Sequence, residues 1–111
     1  MDSILNSIKE LLGIPTAETS FDAELVIIIN SAISVLNQLG YGDKGFGING
    51  DDEIWTDLCK SIDDCQMIKT YIYLKTKMMF DPPATGSLMD ALNRTINEHE
   101  CRITYAADSD S

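Results

Sequence analysis

The sequence predicts an all-α protein, a small bundle of about four helices with a long third helix and a mobile acidic C-terminal tail. Apolar residues recur at spacings of three and four along most of the chain, as they do on one face of a helix. Glycine and proline, which end helices, fall mainly between these stretches. No alternating strand pattern and no internal repeat is visible. A chain of 111 residues has the length of one domain. We therefore predict one helical domain over residues 1–105 and a disordered acidic tail over residues 106–111.

The first two helices are predicted from their apolar spacing and their end signals. The first is stopped by Gly13 and Pro15, and its apolar residues are Ile4, Leu5, Ile8, Leu11 and Leu12. Thr19 and Asp22 form a capping-box pattern that would open the second helix. That helix should run to about Leu39, where a glycine follows.

The second helix has a broad apolar arc and one isoleucine outside it. The arc contains Leu25, Ile28, Ile29, Ala32, Leu36 and Leu39, widened by Val26, Ile33 and Val35. Ile27 instead lies among the polar residues of the opposite face. Single exposed apolar residues are common and often have no function. In an oligomer, however, Ile27 would be a contact, and the pattern leaves both interpretations open.

The third helix is predicted from about Glu53 to Phe80, with a break near residues 61–64 as one alternative. A glycine-rich loop over residues 41–49 precedes it, and Asp51 or Asp52 would cap it. Its main apolar stripe contains Cys65, Met67, Ile68, Tyr71, Ile72, Leu74, Met78 and Met79. A smaller patch on the far side contains Ile62, Tyr73 and Phe80. Because a helix that is apolar on two sides needs neighbours on two sides, this helix should be central or should contact another copy.

Lys75 falls near the middle of the main stripe of the third helix. A lysine there either extends its ammonium group to the edge of the apolar surface or pairs with a carboxylate, including one from another copy. The break Asp81-Pro82-Pro83 then ends the helix, because proline cannot continue the helical ladder.

The last helix should begin at Ser87, with Asp90 completing a second capping box. Its predicted buried face contains Leu88, Ala91, Leu92, Thr95, Ile96, His99 and Ile103. The residues after 105 have nothing to bury, which is the basis for the predicted tail.

The charge balance excludes a surface that wraps nucleic acid. There are 18 acidic and 8 basic residues and a formal net charge of −10, which repels phosphate. A wall past which DNA must slide should be negative, although such acidity also serves solubility alone. No signal peptide is evident and the longest apolar run, residues 25–29, is far too short to span a bilayer. We expect a soluble intracellular protein with no membrane contact.

No pattern in the chain predicts catalysis or a bound metal or cofactor. Residues 40–45 match the dinucleotide fingerprint spacing but follow a helix instead of a strand. The loop acids do not have calcium-loop spacing. His99 and Cys101 would point about 200° apart on a helix, so they cannot share a ligand or form a dyad. The chain has three cysteines, Cys59, Cys65 and Cys101, of which no two have metal-knuckle spacing, and all three should be buried, reduced thiols. We predict no enzymatic activity, no cofactor and no metal.

A series of segments along the chain matches one protein family, in that family's order: residues 11–15, 22–25, 29–32, 36–40, 71–77, 80–83, 91–93, 98 and 102–103. Through these segments the chain resembles the head–tail connector (adaptor) proteins of long-tailed bacteriophages and of prophages in Gram-positive bacteria. The Phe-Asp-Pro-Pro break at Phe80 is the most specific. One departure is Cys101, where the family favours a tryptophan, so the last helix would dock less strongly or in a different arrangement.

The resemblance implies a ring, often dodecameric, that forms under the portal of a filled head, extends the DNA channel and docks the stopper or tail. The implied partners are other copies of the chain, the portal protein and a stopper or tail-completion protein, while DNA passes without specific binding. The implied location is the virion, with the host cytoplasm during assembly. The family has no catalytic residues to carry over.

Helical-wheel positions give candidate contact residues for such a ring. The candidates for the subunit interface are Val26, Ile27, Tyr73, Lys75 and Phe80. The candidates for docking on the portal or another partner are Cys101, Arg102, Ile103 and Tyr105. Acidic residues of the loop or last helix would face the channel. The main alternative is a small acidic interaction protein that binds and inhibits a host or phage enzyme. One way in which it could inhibit is by imitating the charge of DNA. An enzyme with an unrecognised metal site is the third alternative.

Overall fold

The computed structural model describes residues 3–109, apart from the side chains of residues 62, 108 and 109. Within that range the chain forms five helices and no strand, which confirms the predicted all-α class. The helices are α1 (Ile4–Leu12), α2 (Asp22–Gln38), α3 (Trp55–Leu58), α4 (Ile62–Phe80) and α5 (Gly86–Ser109). One isolated antiparallel bridge joins Ser3 to Ile54 and ties the start of the described chain to the α2–α3 loop.

The predicted third helix is two helices, so the prediction of four helices with a long third one was wrong. The chain leaves helical geometry at Cys59, whose backbone is extended (φ −83°, ψ 139°). Ser61 then caps α4, because its Oγ accepts from the Asp64 backbone N at 3.2 Å. The residues that were expected to break the helix therefore open α4. The predicted caps Asp51 and Asp52 also lie too early, since α3 begins at Trp55.

Two other predicted caps are replaced by different contacts. Asp22 does not complete a capping box with Thr19, because the Asp22 carboxylate pairs with the ammonium group of Lys9 at 2.8 Å. α5 begins at Gly86, one residue before the predicted Ser87. Its first turn is capped by Thr85, whose Oγ1 accepts from the Leu88 backbone N at 3.3 Å.

α4 is the central element of the bundle and packs against α1, α2, α3 and α5. The core surrounds it and draws on every helix, with the following fully buried side chains among its members: Ile4, Leu5, Ile8, Leu25, Ile29, Ile33, Leu36, Ile68, Tyr71, Ile72 and Ile103. The predicted apolar arc of α2 is largely confirmed, and Ile27 lies outside it as expected.

The last helix departs from prediction at both ends. At its start, Leu88 is 58% exposed and Ala91 is also exposed, so the predicted buried face fails there. Periodicity identifies a helix face but not how far a neighbouring helix extends along it. At its other end, α5 continues to Ser109 and buries Ala107, so the predicted tail does not begin at residue 106. The remaining tail residues, 110–111, lie outside the described range.

Candidate interaction surface

A buried lysine fixes the connection between α1 and α2. Lys9 is fully buried, and its Nζ donates to the carbonyl oxygens of Thr16 (3.1 Å) and Glu18 (2.6 Å) and pairs with Asp22. A lysine is almost never fully buried without such partners. The loop between the helices is therefore held against the bundle. Sequence analysis missed this residue, although its position four residues after Leu5 places it on the buried face of α1.

The α2–α3 loop is also held by specific hydrogen bonds. The Asn30 side chain pairs with the backbone of Ile48 in both directions, with Oδ1 accepting at 2.7 Å and Nδ2 donating at 2.9 Å. A Cβ at Gly47 would lie 3.0 Å from Asn30 Oδ1, so the glycine leaves room for this pair.

Tyr41 anchors the same loop from its other end. The side chain is fully buried, and its hydroxyl accepts from the Lys60 backbone N at 3.0 Å and donates to Asp64 Oδ2 at 3.3 Å. Burial raises the pKa of Tyr41 above its ordinary value. Together the two anchors fix a loop whose Asp51 and Asp52 side chains are exposed, which gives this side of the protein a fixed negative surface.

The predicted subunit-interface residues differ widely in accessibility. Ile27 is 71% exposed, whereas Val26 is partly buried against the core. Phe80 is partly buried in an edge-to-face contact with Phe21, with ring centroids 5.5 Å apart. Tyr73 also packs partly against the core. Of these four residues, only Ile27 projects freely from the surface.

Lys75 is partly buried on α4. Among the described side chains, no carboxylate lies within ion-pair distance of its ammonium group. The pairing of Lys75 with a carboxylate from another copy stays a prediction.

The predicted docking residues do not share one face. Cys101 and Arg102 are exposed and Tyr105 is 76% exposed, but Ile103 is fully buried. Ile103 cannot dock on a partner without leaving the core, so its inclusion in the docking set was wrong. Its spacing of seven residues from the buried Ile96 placed it on the inner face of α5.

A surface groove, the α5 groove, lies beside the exposed residues of α5. It has a volume of about 560 Å³ and is lined by Leu39, Asn97, Glu100, Cys101, Thr104 and Tyr105. The Glu100 carboxylate at its inner edge accepts from the Tyr71 hydroxyl at 2.7 Å. Burial, together with this carboxylate, raises the pKa of Tyr71. Sequence analysis placed two of the lining residues, Cys101 and Tyr105, in the docking set but did not predict the groove, because Leu39 reaches it from the end of α2.

The part of the chain that the structure describes holds no cluster of three or more His, Cys, Asp or Glu side chains arranged for a metal ion. His99 Nδ1 lies 2.9 Å from the Thr95 carbonyl oxygen of its own helix, an atom that only accepts, so this nitrogen donates. Burial and the neighbouring Cys65 raise the pKa of the Cys59 thiol, the opposite of an activated nucleophile. Across residues 3–109, no helix has the length and apolarity that crossing a bilayer requires.

These features define a helical protein whose exposed groups suit contacts with other macromolecules. The sequence model of the phage connector protein family matches residues 4–110, almost the whole chain, and the chain belongs to that family. This confirms the resemblance that the sequence predicted. No curated protein and no solved structure matches the chain. Family membership gives the protein a structural connector role in the phage particle, in contact with other head or tail components.

Proposed function

We propose that this protein is a head–tail adaptor that forms a ring under the portal, extends the DNA channel and docks the stopper or tail. It acts by assembly and not by catalysis, and it is made in the host cytoplasm before it enters the virion. The observation that carries this proposal is the family match over residues 4–110. The remaining observations concern how a single chain could supply the contacts.

A closed ring needs two different patches on each subunit, one meeting the other around the circle. Ile27 on the outer face of α2 is one exposed apolar group, and the α5 groove is a second, separate feature. Ile27 and Leu39 lie about 120° apart around the α2 axis, so they face different directions. Burying Ile27 in a contact would contribute about 2 kcal/mol. The chain thus presents separate surfaces of the kind that ring closure requires.

The α2–α3 loop, which carries the exposed Asp51 and Asp52, is suited to form a channel wall. Its exposed carboxylates belong to a chain with a net charge of −10, and they repel the DNA backbone. The bonds of Asn30 and Tyr41 keep these charges in fixed positions. We place this loop toward the channel, where DNA slides without adhering.

The inhibitor alternative has less support because many acidic groups serve the fold. Asp22 pairs with Lys9, Asp57 accepts from the Ile54 backbone N at the start of α3, and Asp64 and Glu100 accept from buried tyrosines. A protein that imitates DNA should instead display rows of free carboxylates. This use of the acids favours the connector.

Complementation of a phage or prophage that lacks the gene tests the proposed function. We expect the deletion to leave DNA-filled heads without tails, visible by electron microscopy, and the wild-type gene to restore tailed particles. An Ile27→Asp variant should fail to restore them, whereas Ala84→Asp, at an exposed position between α4 and α5, should succeed. Phe80→Asp is a poor probe because it would also break the contact with Phe21. Normal tailed particles in the deletion strain would refute the proposal.

A further inference from the structure

We infer that the α5 groove receives the Ile27 face of α2 from a neighbouring copy. This inference rests on the proposed ring and specifies which two surfaces meet in it. It assigns the groove to a second copy of this chain and not to the portal protein.

The groove is the receiving side of this contact. α5 packs mainly against α4, which leaves its outer face uncovered. On that face Asn97, Cys101 and Tyr105 follow one another at helical spacing, and Leu39 closes the groove from α2. The Glu100 carboxylate that lines the groove accepts from the buried Tyr71 hydroxyl, so it keeps a hydrogen-bond partner when another chain covers the groove.

The Ile27 face has the shape of an inserting surface. Ile27 is 71% exposed, and the exposed positions around it on α2 are the small residues Ala23, Ser31 and Ser34, with the charged Glu24 at one end. Small neighbours let another helix approach closely, so the isoleucine projects as a single apolar side chain. A side chain in this position loses its exposure only when a second protein covers it.

The edges of the two surfaces carry one complementary pair of exposed charges, Glu24 and Arg94, and the exposed Glu98 lies one turn after Arg94. Glu24, one turn before Ile27, is exposed, while the other acidic residue of that turn, Asp22, is engaged by Lys9. Arg94 is exposed one turn before Asn97, on the same side of α5 as the groove. When Ile27 enters the groove with the two helices parallel, Glu24 approaches Arg94. Opposite charges at the rim of an interface favour one register over others.

Disulfide trapping tests this contact, because the groove already contains the exposed Cys101. An Ile27→Cys variant is assembled with and without portal protein and treated with diamide, which takes one hydrogen from each of two thiols as the disulfide forms. We expect a ladder of covalent trimers and larger species on non-reducing gels. Wild type and Ala84→Cys should give dimers at most, and adding Cys101→Ser to Ile27→Cys should abolish the ladder.

Each outcome of the trapping experiment decides between assignments. Rings that form without Ile27–Cys101 trapping, or a product cross-linked to portal, would overturn the inference and leave the ring intact. A product that stops at dimers would overturn it as well, since it indicates a reciprocal pair. Absence of any ring, with or without portal, would refute the proposed function instead.

A charge exchange gives a second test that needs no oxidant. Glu24→Arg or Arg94→Glu alone should weaken assembly, because each places like charges together, and the double exchange should restore it. Both positions are exposed, so circular dichroism should show unchanged helix content. Failure of the double variant to recover, with each single variant impaired, would contradict this register.

Discussion

α4 and α5 are both long helices, yet they have opposite relations to the rest of the molecule. α4 lies inside the bundle, with other helices around it, and it buries even Thr76, whose hydroxyl has no partner among the described groups. α5 has 24 residues, packs mainly on α4 and leaves Leu88 and Tyr105 exposed. Burial therefore depends on where a helix lies in the bundle more than on the side chain's own hydrophobicity. The inner helix stabilises the fold, and the outer helix keeps part of its surface exposed.

The largest expected loss of stability comes from removing a contact between α4 and α5. Tyr71→Ala removes a buried ring and its bond to Glu100, so the free energy of unfolding should fall by about 3–5 kcal/mol in urea titrations. Asn97→Ala, at an exposed position on the outer face of α5, should change it by less than about 0.5 kcal/mol. Equal losses in the two variants would show that the outer face of α5 is not free.

Removal of the buried ammonium group should have the next largest effect. Lys9→Ala leaves the carbonyl oxygens of Thr16 and Glu18 and the Asp22 carboxylate without their partner. We expect a loss of about 2–4 kcal/mol, less than for a fully buried pair because Asp22 is partly exposed. Lys44→Ala in the exposed loop serves as the control. A similarly small change in both variants would mean that Lys9 does not hold the α1–α2 loop.

Releasing the α2–α3 loop should have an intermediate effect on stability. Asn30→Ala removes both hydrogen bonds to Ile48, so stability should fall by about 2 kcal/mol and amide exchange should accelerate across residues 41–50. Asn93→Ala, at an exposed position on α5, should leave both quantities unchanged. If exchange in the loop stayed slow in the Asn30 variant, Tyr41 alone would be sufficient to anchor it.

The smallest effect concerns the start of the outer helix. Thr85→Ala removes the cap on α5 and should lower stability by about 1 kcal/mol. Ser87→Ala should have almost no effect, because the Ser87 side chain is exposed and lies inside the first turn. A larger loss of stability in the Ser87 variant than in the Thr85 variant would show that Ser87 caps α5, as the sequence predicted.

Features that depend on one segment of the chain could be predicted from the sequence, and features that depend on how segments pack together could not. The apolar arc of α2 and the helical class were predictable because each depends on spacing within one segment. The division of the third helix depends on the cap at Ser61, which competes locally with helix continuation. Ile103 was assigned to both the core and the docking set, and its buried position settles that conflict.

The site was less predictable than the fold. The position of Lys9 on the buried face of α1 could be found from the sequence, but its three partners could not, since they come from the following loop and from α2. The α5 groove depends on Leu39, which approaches from the end of another helix. The spacing of residues within one helix cannot predict such a contact between two helices. Ile27 was visible in advance as an isoleucine among polar residues, but its value as a contact depends on a second chain.

The central claim is that this chain is a ring subunit, and its absolute mass in solution tests that claim most directly. Light scattering should be recorded at low and high concentration and then with portal protein added. We predict a closed high-order oligomer, either alone or only on the portal, and its loss in the Ile27→Asp variant with helix content retained. A monomer or dimer that ignores portal at every concentration would contradict the account.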